Sequence, residues 1–295
     1  MVAPGILLVD KPGGITSHDV VARARKALGT RKIGHAGTLD PMATGLLVLG
    51  VEAATRLLTF IVGLDKTYEA TIRLGASTDT DDADGQIIEA TDASAITSAE
   101  IEQGIAPLRG AISQVPSRVS AIKVDGRRAY DLARAGEEVV LAARAVTVSR
   151  FDVLAERRAD GFVDLDVVVD CASGTYIRAL ARDLGASLGV GGHLTALRRT
   201  RIGPFDVRDA ASVDALATAV LLDPAQAAEV VLGKLAVTDD EARDLRHGKR
   251  LPGLASRIGT TPTAAVDPAG LLVGIVERRG DDVKSIMNLP PEAAR

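Results

Sequence analysis

Few side chains in this sequence are placed for chemistry, and the most suggestive is Asp40. It sits in Gly34-His-Ala-Gly-Thr-Leu-Asp40-Pro-Met-Ala-Thr-Gly45, directly before a proline. Proline pushes its predecessor toward extended geometry. A carboxylate held on a loop beside a buried strand can act on a ligand. The same residue can equally close an Asx-turn on nearby backbone N–H groups. His35 can stack on a base or donate a hydrogen bond, or be merely structural. The chain has three Tyr and no Trp, with aromatics at 2%. Tyr68 and Tyr176 are therefore less readily explained as ordinary core aromatics. Arg178 stands in the first turn of a helix expected from Tyr176 to Leu188. A cation there opposes the helix macrodipole, which implies a dedicated anionic partner unless it is an ordinary surface arginine. Arg198, Arg199 and Arg201 follow His193 closely, and on a strand 199 and 201 share a face. They suit phosphate binding, or a solvated charge run. The turn Asp79, Asp81, Asp82, Asp84 looks like a weak Ca²⁺ or Mg²⁺ loop. It lacks the glutamate that completes an EF-hand loop, so a solvated turn is the expectation.

The elements that must position these residues are legible in outline. Ile6 to Val9 is an apolar run stopped by Asp10-Lys-Pro-Gly-Gly14 and predicts a strand. Ser17 is the expected N-cap of a helix ending at Gly29. Three glycines and a proline predict a loop across 34–45, followed by a buried strand from Leu46 to Val51. Further strands are expected at 67–74, 119–123, 144–154, 162–171 and 193–199, with a turn at Gly203-Pro204. Helices are expected from Ser98 to Leu108, over 127–135 and across the Ala-rich 212–230. Strands and helices alternate irregularly, without a repeat. That predicts an α+β fold with a mixed, mainly antiparallel sheet. After Lys234 the texture changes to short strands and turns. A boundary near 228 then gives domains 1–227 and 228–295, the second small and β-rich.

Composition narrows the classes. The 295 residues are 46% hydrophobic and 25% charged, with net charge -4. A sizeable core fits this composition and wholesale disorder does not. Residues 61–115 hold three Lys or Arg against ten Asp or Glu, and this acidic stretch masks mildly basic ones on either side. Net charge therefore does not exclude a polyanion bound locally. The lone Cys171 rules out an intrachain disulfide, and with four His it leaves little for a zinc centre. No stretch approaches the roughly 18 apolar residues of a membrane span, and the N-terminus lacks signal-peptide character. A cytoplasmic, membrane-free protein is expected.

The motif around Asp40 resembles the catalytic motif of the TruB family, the bacterial tRNA pseudouridine-55 synthases. Companion motifs follow in order: Asp10-Lys-Pro-Gly-Gly-Ile-Thr-Ser17, Lys66-Thr-Tyr-Glu-Ala70, Thr78-Asp-Thr-Asp-Asp-Ala-Asp-Gly85 and Gln114-Val-Pro-Ser117. Ser120-Ala-Ile-Lys123, Gly126-Arg-Arg-Ala-Tyr130, Gly174-Thr-Tyr-Ile-Arg178 and Leu197-Arg-Arg-Thr-Arg-Ile-Gly-Pro-Phe205 continue the series. Leu245-Arg-His-Gly-Lys-Arg-Leu251 is similar to part of a PUA-type RNA-binding module. Val119 and Ser173 stand where the family often has an aromatic and a lysine.

The resemblance implies a pseudouridine-synthase fold with a PUA-like C-terminal domain. It implies isomerisation of uridine 55 in the T loop of tRNA, with the base flipped out at a cost of a few kcal/mol. The reaction needs no cofactor, metal or nucleotide. Asp40 would start it, by covalent attack or by acting on the sugar. Arg178 would pair with Asp40 and keep it ionised. Tyr68 would stack on the uracil and remove the C5 proton, and Tyr176 would pack the pocket. His35 would fill the vacated place in the loop, while Lys11, Arg198 and Arg199 would contact the RNA. A monomer working on a tRNA T-arm without an obligate protein partner is expected. Two other classes stay in view: a guide-dependent ribonucleoprotein subunit, which would need extended basic tails, and a tRNA-binding or folding module. A phosphatase built on Asp79, Asp82 and Asp84 is a distant third.

Overall fold

The computed structural model describes residues 2–117, 123–124, 127–128 and 141–289. Strand β1 (Gly5–Lys11) leads into helix α1 (Ser17–Leu28), which ends at Gly29 in the left-handed region. The N-cap is Thr16, one residue earlier than expected. Its hydroxyl accepts from the Asp19 N–H while the Asp19 carboxylate accepts from the Thr16 N–H, so this capping box satisfies two groups at once. Strands β2 (Ile33–Ala36) and β3 (Thr44–Val51) pair antiparallel, from Ile33 opposite Val51 to Ala36 opposite Val48. The loop expected over 34–45 is thereby shortened to 37–43. Strand β3 offers a hydrogen-bonding edge that overrides the weak strand propensity of Gly34.

Helix α2 (Leu58–Ile61) is short. Strand β4 (Lys66–Leu74) alternates, and the hairpin of β5 (Ala76–Thr78) and β6 (Ile87–Ala90) brackets the acidic turn. Helix α3 (Ser98–Ile105) is capped by Thr97 and gives way to a 3₁₀ turn at Ala106–Leu108, where Pro107 has no N–H to continue the ladder. Next come β7 (Gly110–Gln114) and the two-residue strands β8 (Lys123–Val124) and β9 (Arg127–Arg128). Arg127 and Arg128 are thus extended, where a helix was expected. Residues 119–122 and 129–135 of those expectations, with Val119, lie outside the described residues.

Strands β10 (Arg144–Ala159) and β11 (Phe162–Cys171) form a long hairpin. Helix α4 (Ile177–Ser187) and strand β12 (Gly192–Ile202) match expectation closely. Short strands β13 (Phe205–Asp206) and β14 (Ala211–Ser212) follow. Helix α5 (Pro224–Leu232) is much shorter than the Ala-rich run, because the Asp223 carboxylate caps it from outside and Pro224 occupies its first turn. The chain closes with β15 (Lys234–Ala236), α6 (Asp239–Arg246), β16 (Thr263–Val266), β17 (Leu272–Arg279) and β18 (Asp282–Asn288).

Two compact units result. The first joins residues 1–41, 45–63 and 202–295. Here β1 lies between β14, parallel, and β3, antiparallel. Val20, Val21 and Ala24 of α1 pack on Leu7, Val9, Leu47 and Leu49. Each buried valine or leucine among them contributes about 1.5–3 kcal/mol. The C-terminal sheet, in the order β15-β16-β17-β18, has its own apolar cluster around Leu235, Leu245, Val273 and Val283. The boundary expected at 227/228 falls inside α5, which packs on both β16 and β1. Arg56 also donates to the carbonyl of Asn288, at 2.8 Å.

The second unit holds residues 42–44 and 64–201. Its strands run in the order β12-β4-β11-β10-β7, with β4, β11, β10 and β7 successively antiparallel. On β4, Lys66, Tyr68, Ala70, Ile72 and Leu74 face inward, and α4 packs on that strand. The opposite face is polar: the Thr71 hydroxyl donates to Asp166, and Arg73 grips Asp164 through two bonds of 2.7 Å. The architecture is α+β and mainly antiparallel, as expected.

Candidate active site

In the first unit, the backbone on both sides of Asp40 is pinned from below. Lys11 is fully buried, 0% exposed. Its ammonium donates to the carbonyls of Pro12, Ile15 and Pro41 at 2.9, 2.7 and 3.2 Å. The Gly14 N–H reaches the same Pro41 carbonyl at 2.8 Å. Ser17, buried in the first turn of α1, accepts from the Leu39 N–H at 2.9 Å and donates to the Leu39 carbonyl at 3.2 Å. Leu39 and Pro41 are therefore fixed, and the half-buried Asp40 side chain is carried between two immobilised peptide units. This corrects two expectations. Ser17 is a loop latch and not a cap. Lys11 spends its charge on loop carbonyls and does not present it to RNA. His35, on β2, is half-buried and meets the edge of His18 with ring centroids 5.5 Å apart.

In the second unit, Tyr68 lies on the buried face of β4, opposite Val169 and only 8% exposed. Two residues earlier on that face, Lys66 donates to the Leu64 carbonyl at 2.6 Å. Burial first, and then the nearby Arg199 charge, push its pKa down to about 8. Arg199 is 1% exposed, so it is an interior cation and cannot form the solvated phosphate stripe expected of it. Arg201 is exposed on the other side of β12, donates to the Thr67 hydroxyl at 3.0 Å and lies 3.6 Å from Asp170. The shared face expected for 199 and 201 is absent. Arg198 is half-buried and donates to the Thr44 hydroxyl at 3.4 Å. Cys171, opposite Lys66, has its thiol pushed up to about 11 by burial, which leaves it inert at neutral pH.

Arg178 is no surface arginine; its side chain is 3% exposed. The guanidinium donates to the Thr80 carbonyl at 2.8 Å and lies 3.4 Å from the Asp82 carboxylate. The anionic partner that the helix start implied thus includes Asp82, on the turn expected to be solvated. That turn is built inward. The Thr80 hydroxyl donates to Asp82 Oδ1 at 2.5 Å, and the Asp84 N–H donates to the same oxygen at 3.1 Å. The Thr78 hydroxyl holds the Asp82 carbonyl at 2.8 Å. Asp81 lies 3.3 Å from Arg182 on the next turn of α4. Burial raises the Asp81 pKa against the lowering effects of Ser117, Arg182 and Arg178. Threonines two and four residues before Asp82 were the available signal that this acid is held and not solvated. Among the described residues, no group of three or more His, Cys, Asp or Glu is arranged to hold a metal ion.

Tyr176 is the N-cap of α4 but makes no side-chain capping bond. Its backbone is instead paired to the Gln114 carboxamide: the Tyr176 N–H donates to Oε1 at 2.9 Å, and Nε2 donates to the Tyr176 carbonyl at 3.1 Å. In the sequence, Gln114 stands out only as the first residue of the Gln114-Val-Pro-Ser117 motif.

Comparison with known proteins gives consistent matches. Residues 25–177 match the family described as TruB family pseudouridylate synthase, N-terminal domain. Residues 178–237 match the tRNA pseudouridylate synthase B C-terminal domain, and 232–290 match tRNA pseudouridine synthase II, C-terminal. The tRNA pseudouridine synthase B of Leifsonia xyli is 58% identical, over 99% of this chain and 98% of that relative. The protein of the same name from Rhodococcus jostii is 54% identical, over 100% and 97%. Among solved structures, a chain of an H/ACA RNP bound to a substrate RNA containing 2′-deoxyuridine shares the fold, with TM-score 0.72 and 24% identity over 99% of this chain and 87% of that one. A chain of a Cbf5-Nop10-Gar1 complex matches with TM-score 0.72 and 25% identity, over 98% and 86%.

Proposed function

The chain belongs to the TruB family of pseudouridylate synthases, and from that membership we infer that it converts a uridine of tRNA to pseudouridine, the uridine being position 55 in the T loop. The reaction breaks the bond from N1 of uracil to the ribose and makes one from C5. It moves one proton off C5 and leaves one on N1, with no redox change and no net hydrolysis. Asp40 starts the exchange at the sugar or its glycosidic carbon. Arg178 is the guanidinium assigned to keeping that carboxylate ionised, and a nearby cation does so by lowering a carboxylate pKa. Tyr68 stacks on the uracil and takes the C5 proton late in the reaction. Tyr176 packs the pocket, while His35 and Arg198 contact the RNA.

The observation that supports this reading best is the support beneath the Asp40 loop. A carboxylate whose flanking peptides are held by Lys11 and Ser17 is pre-positioned, and a misplacement of about 1 Å can cost on the order of 10²-fold in rate. The C-terminal segment, with Arg246 at the end of α6 and Lys249 and Arg250 just after it, is assigned to added affinity for whole tRNA. The chain works on RNA as a cytoplasmic monomer, without a guide or protein partner; none of its described helices is long and apolar enough to cross a membrane.

The test is incubation of the purified protein with an unmodified T-arm stem-loop in chelator, followed by pseudouridine mapping. Conversion of the T-loop uridine, with an anticodon stem-loop untouched, is the expected result. Conversion only after a guide RNA, a partner protein or a divalent metal is added would overturn it.

A further inference from the structure

We propose that Gln114 is a positioning residue for the reaction, its buried carboxamide clamping the backbone of Tyr176 and so setting where Arg178 stands. The proposal rests on the uridine isomerisation inferred above. Gln114 ends β7, opposite Arg144, and is 2% exposed. Its amide plane matches one residue of backbone in both directions, accepting from the Tyr176 N–H at 2.9 Å and donating to the Tyr176 carbonyl at 3.1 Å. Tyr176 is the point at which an irregular turn becomes α4. Gly174 precedes it at φ 90, and its own backbone is extended at φ -101 and ψ 106. A helix start without a side-chain cap has poorly fixed geometry, because its first N–H groups lack intrahelical partners. Gln114 supplies the missing constraint from 62 positions away in the chain.

The next residue extends the grip. The Val115 carbonyl accepts from Arg182 at 2.7 Å, one turn further along α4. Consecutive residues at the end of β7 thus hold α4 at two points. Arg178 stands between them, and its guanidinium must reach the Thr80 carbonyl and Asp82 together. Glutamine suits the clamp because its side chain offers one acceptor and one donor in a single plane at this reach. Ionised glutamate only accepts, and asparagine is one methylene shorter. Release of Tyr176 would let the first turn of α4 shift and carry the guanidinium with it.

The decisive variant is Gln114→Met, similar in length and without hydrogen-bonding groups. Enzyme in saturating excess over a T-arm stem-loop gives the rate constant per bound complex. A merely structural role lowers the folded fraction and leaves that constant unchanged. The expected result is a rate constant lower by roughly 10–100-fold, with RNA affinity within a few-fold of wild type. Gln114→Glu keeps the acceptor for the Tyr176 N–H and loses the donor, so it should fall between the two. Amide hydrogen exchange at Tyr176 should accelerate in Gln114→Met, which leaves that N–H without its acceptor, and less in Gln114→Glu, which keeps one. A folded Gln114→Met enzyme with the wild-type rate constant, or with slowed turnover explained wholly by weaker binding, would overturn the clamp. If that variant does not fold, Gln114→Glu decides by the same rate criterion. Failure of the wild type to convert the stem-loop would sink the functional reading instead, and unchanged exchange at Tyr176 would then still refute the clamp.

Discussion

Two acid-bearing loops of this protein differ in composition and have opposite constructions. The segment 37–43 carries one carboxylate, and its backbone is held by side chains from another part of the chain: Lys11 on Pro41 and Ser17 on Leu39. The turn 78–85 carries four carboxylates and is largely self-supporting, with Thr78 and Thr80 closing onto Asp82. In the first loop, the peptides on either side of the acid are held by Lys11 and Ser17. In the second, Asp82 is itself part of the support and faces a buried arginine. The number of acids in a loop therefore says little about how that loop is held.

The contrast can be broken by substitution. The largest structural effect is expected at Asp82→Ala. It removes the carboxylate facing a guanidinium that is only 3% exposed, and breaking a buried pair costs about 3–5 kcal/mol. Thermal unfolding should show a large drop, and turnover should fall with it because Arg178 is displaced. A variant of wild-type stability would mean that the turn is not held through Asp82. A smaller loss, about 1–3 kcal/mol, is expected for Ser17→Ala, which leaves the buried Leu39 N–H without the hydroxyl it pairs with. Here turnover should suffer more than RNA affinity, since the Asp40 loop loosens; equal losses in both would show that Ser17 serves folding alone.

The smallest effect sharpens the picture of the interior near Tyr68. The Lys66 pKa is lowered from 10.5 to about 8 by burial and by Arg199. Below about pH 8 the folded protein carries a charge that its surroundings disfavour. Between about 8 and 10.5 the folded amine has lost the proton that the unfolded chain still holds, so this penalty fades as pH rises. Lys66→Met should therefore gain stability relative to wild type at neutral pH, and the gain should shrink toward pH 10.5. A difference in melting temperature that does not change with pH would contradict the lowered pKa.

Much of this fold was legible in the sequence. The alternation in β4, the run from Phe162 to Cys171 and the amphipathic pattern of α4 each have a local cause, and each appears where expected. The misses have non-local causes. Strand β2 exists because β3 offers an edge, and nothing within 33–36 records that edge. Thr16 and Ser17 are both competent caps, and the choice fell to Thr16 because Ser17 is held by Leu39, 22 positions away. Arg178 advertised a need for an anion through its place in a helix start, but one acid that meets it, Asp82, lies 96 positions earlier. Arg199 looked like surface charge because its burial is decided by the neighbouring strand β4 and not by its own sequence context.

The central claim is that Asp40, alone among these loop acids, performs the chemistry. Asp40→Asn and Asp81→Asn, compared side by side on an unmodified T-arm stem-loop in single turnover, test it most directly. Asp40→Asn should bind the RNA with nearly wild-type affinity and form no pseudouridine. Asp81→Asn should retain measurable conversion at a reduced rate, because Asp81 helps to anchor Arg182, one turn beyond Arg178 on α4. Conversion by the Asp40→Asn enzyme at a rate near wild type would contradict the account.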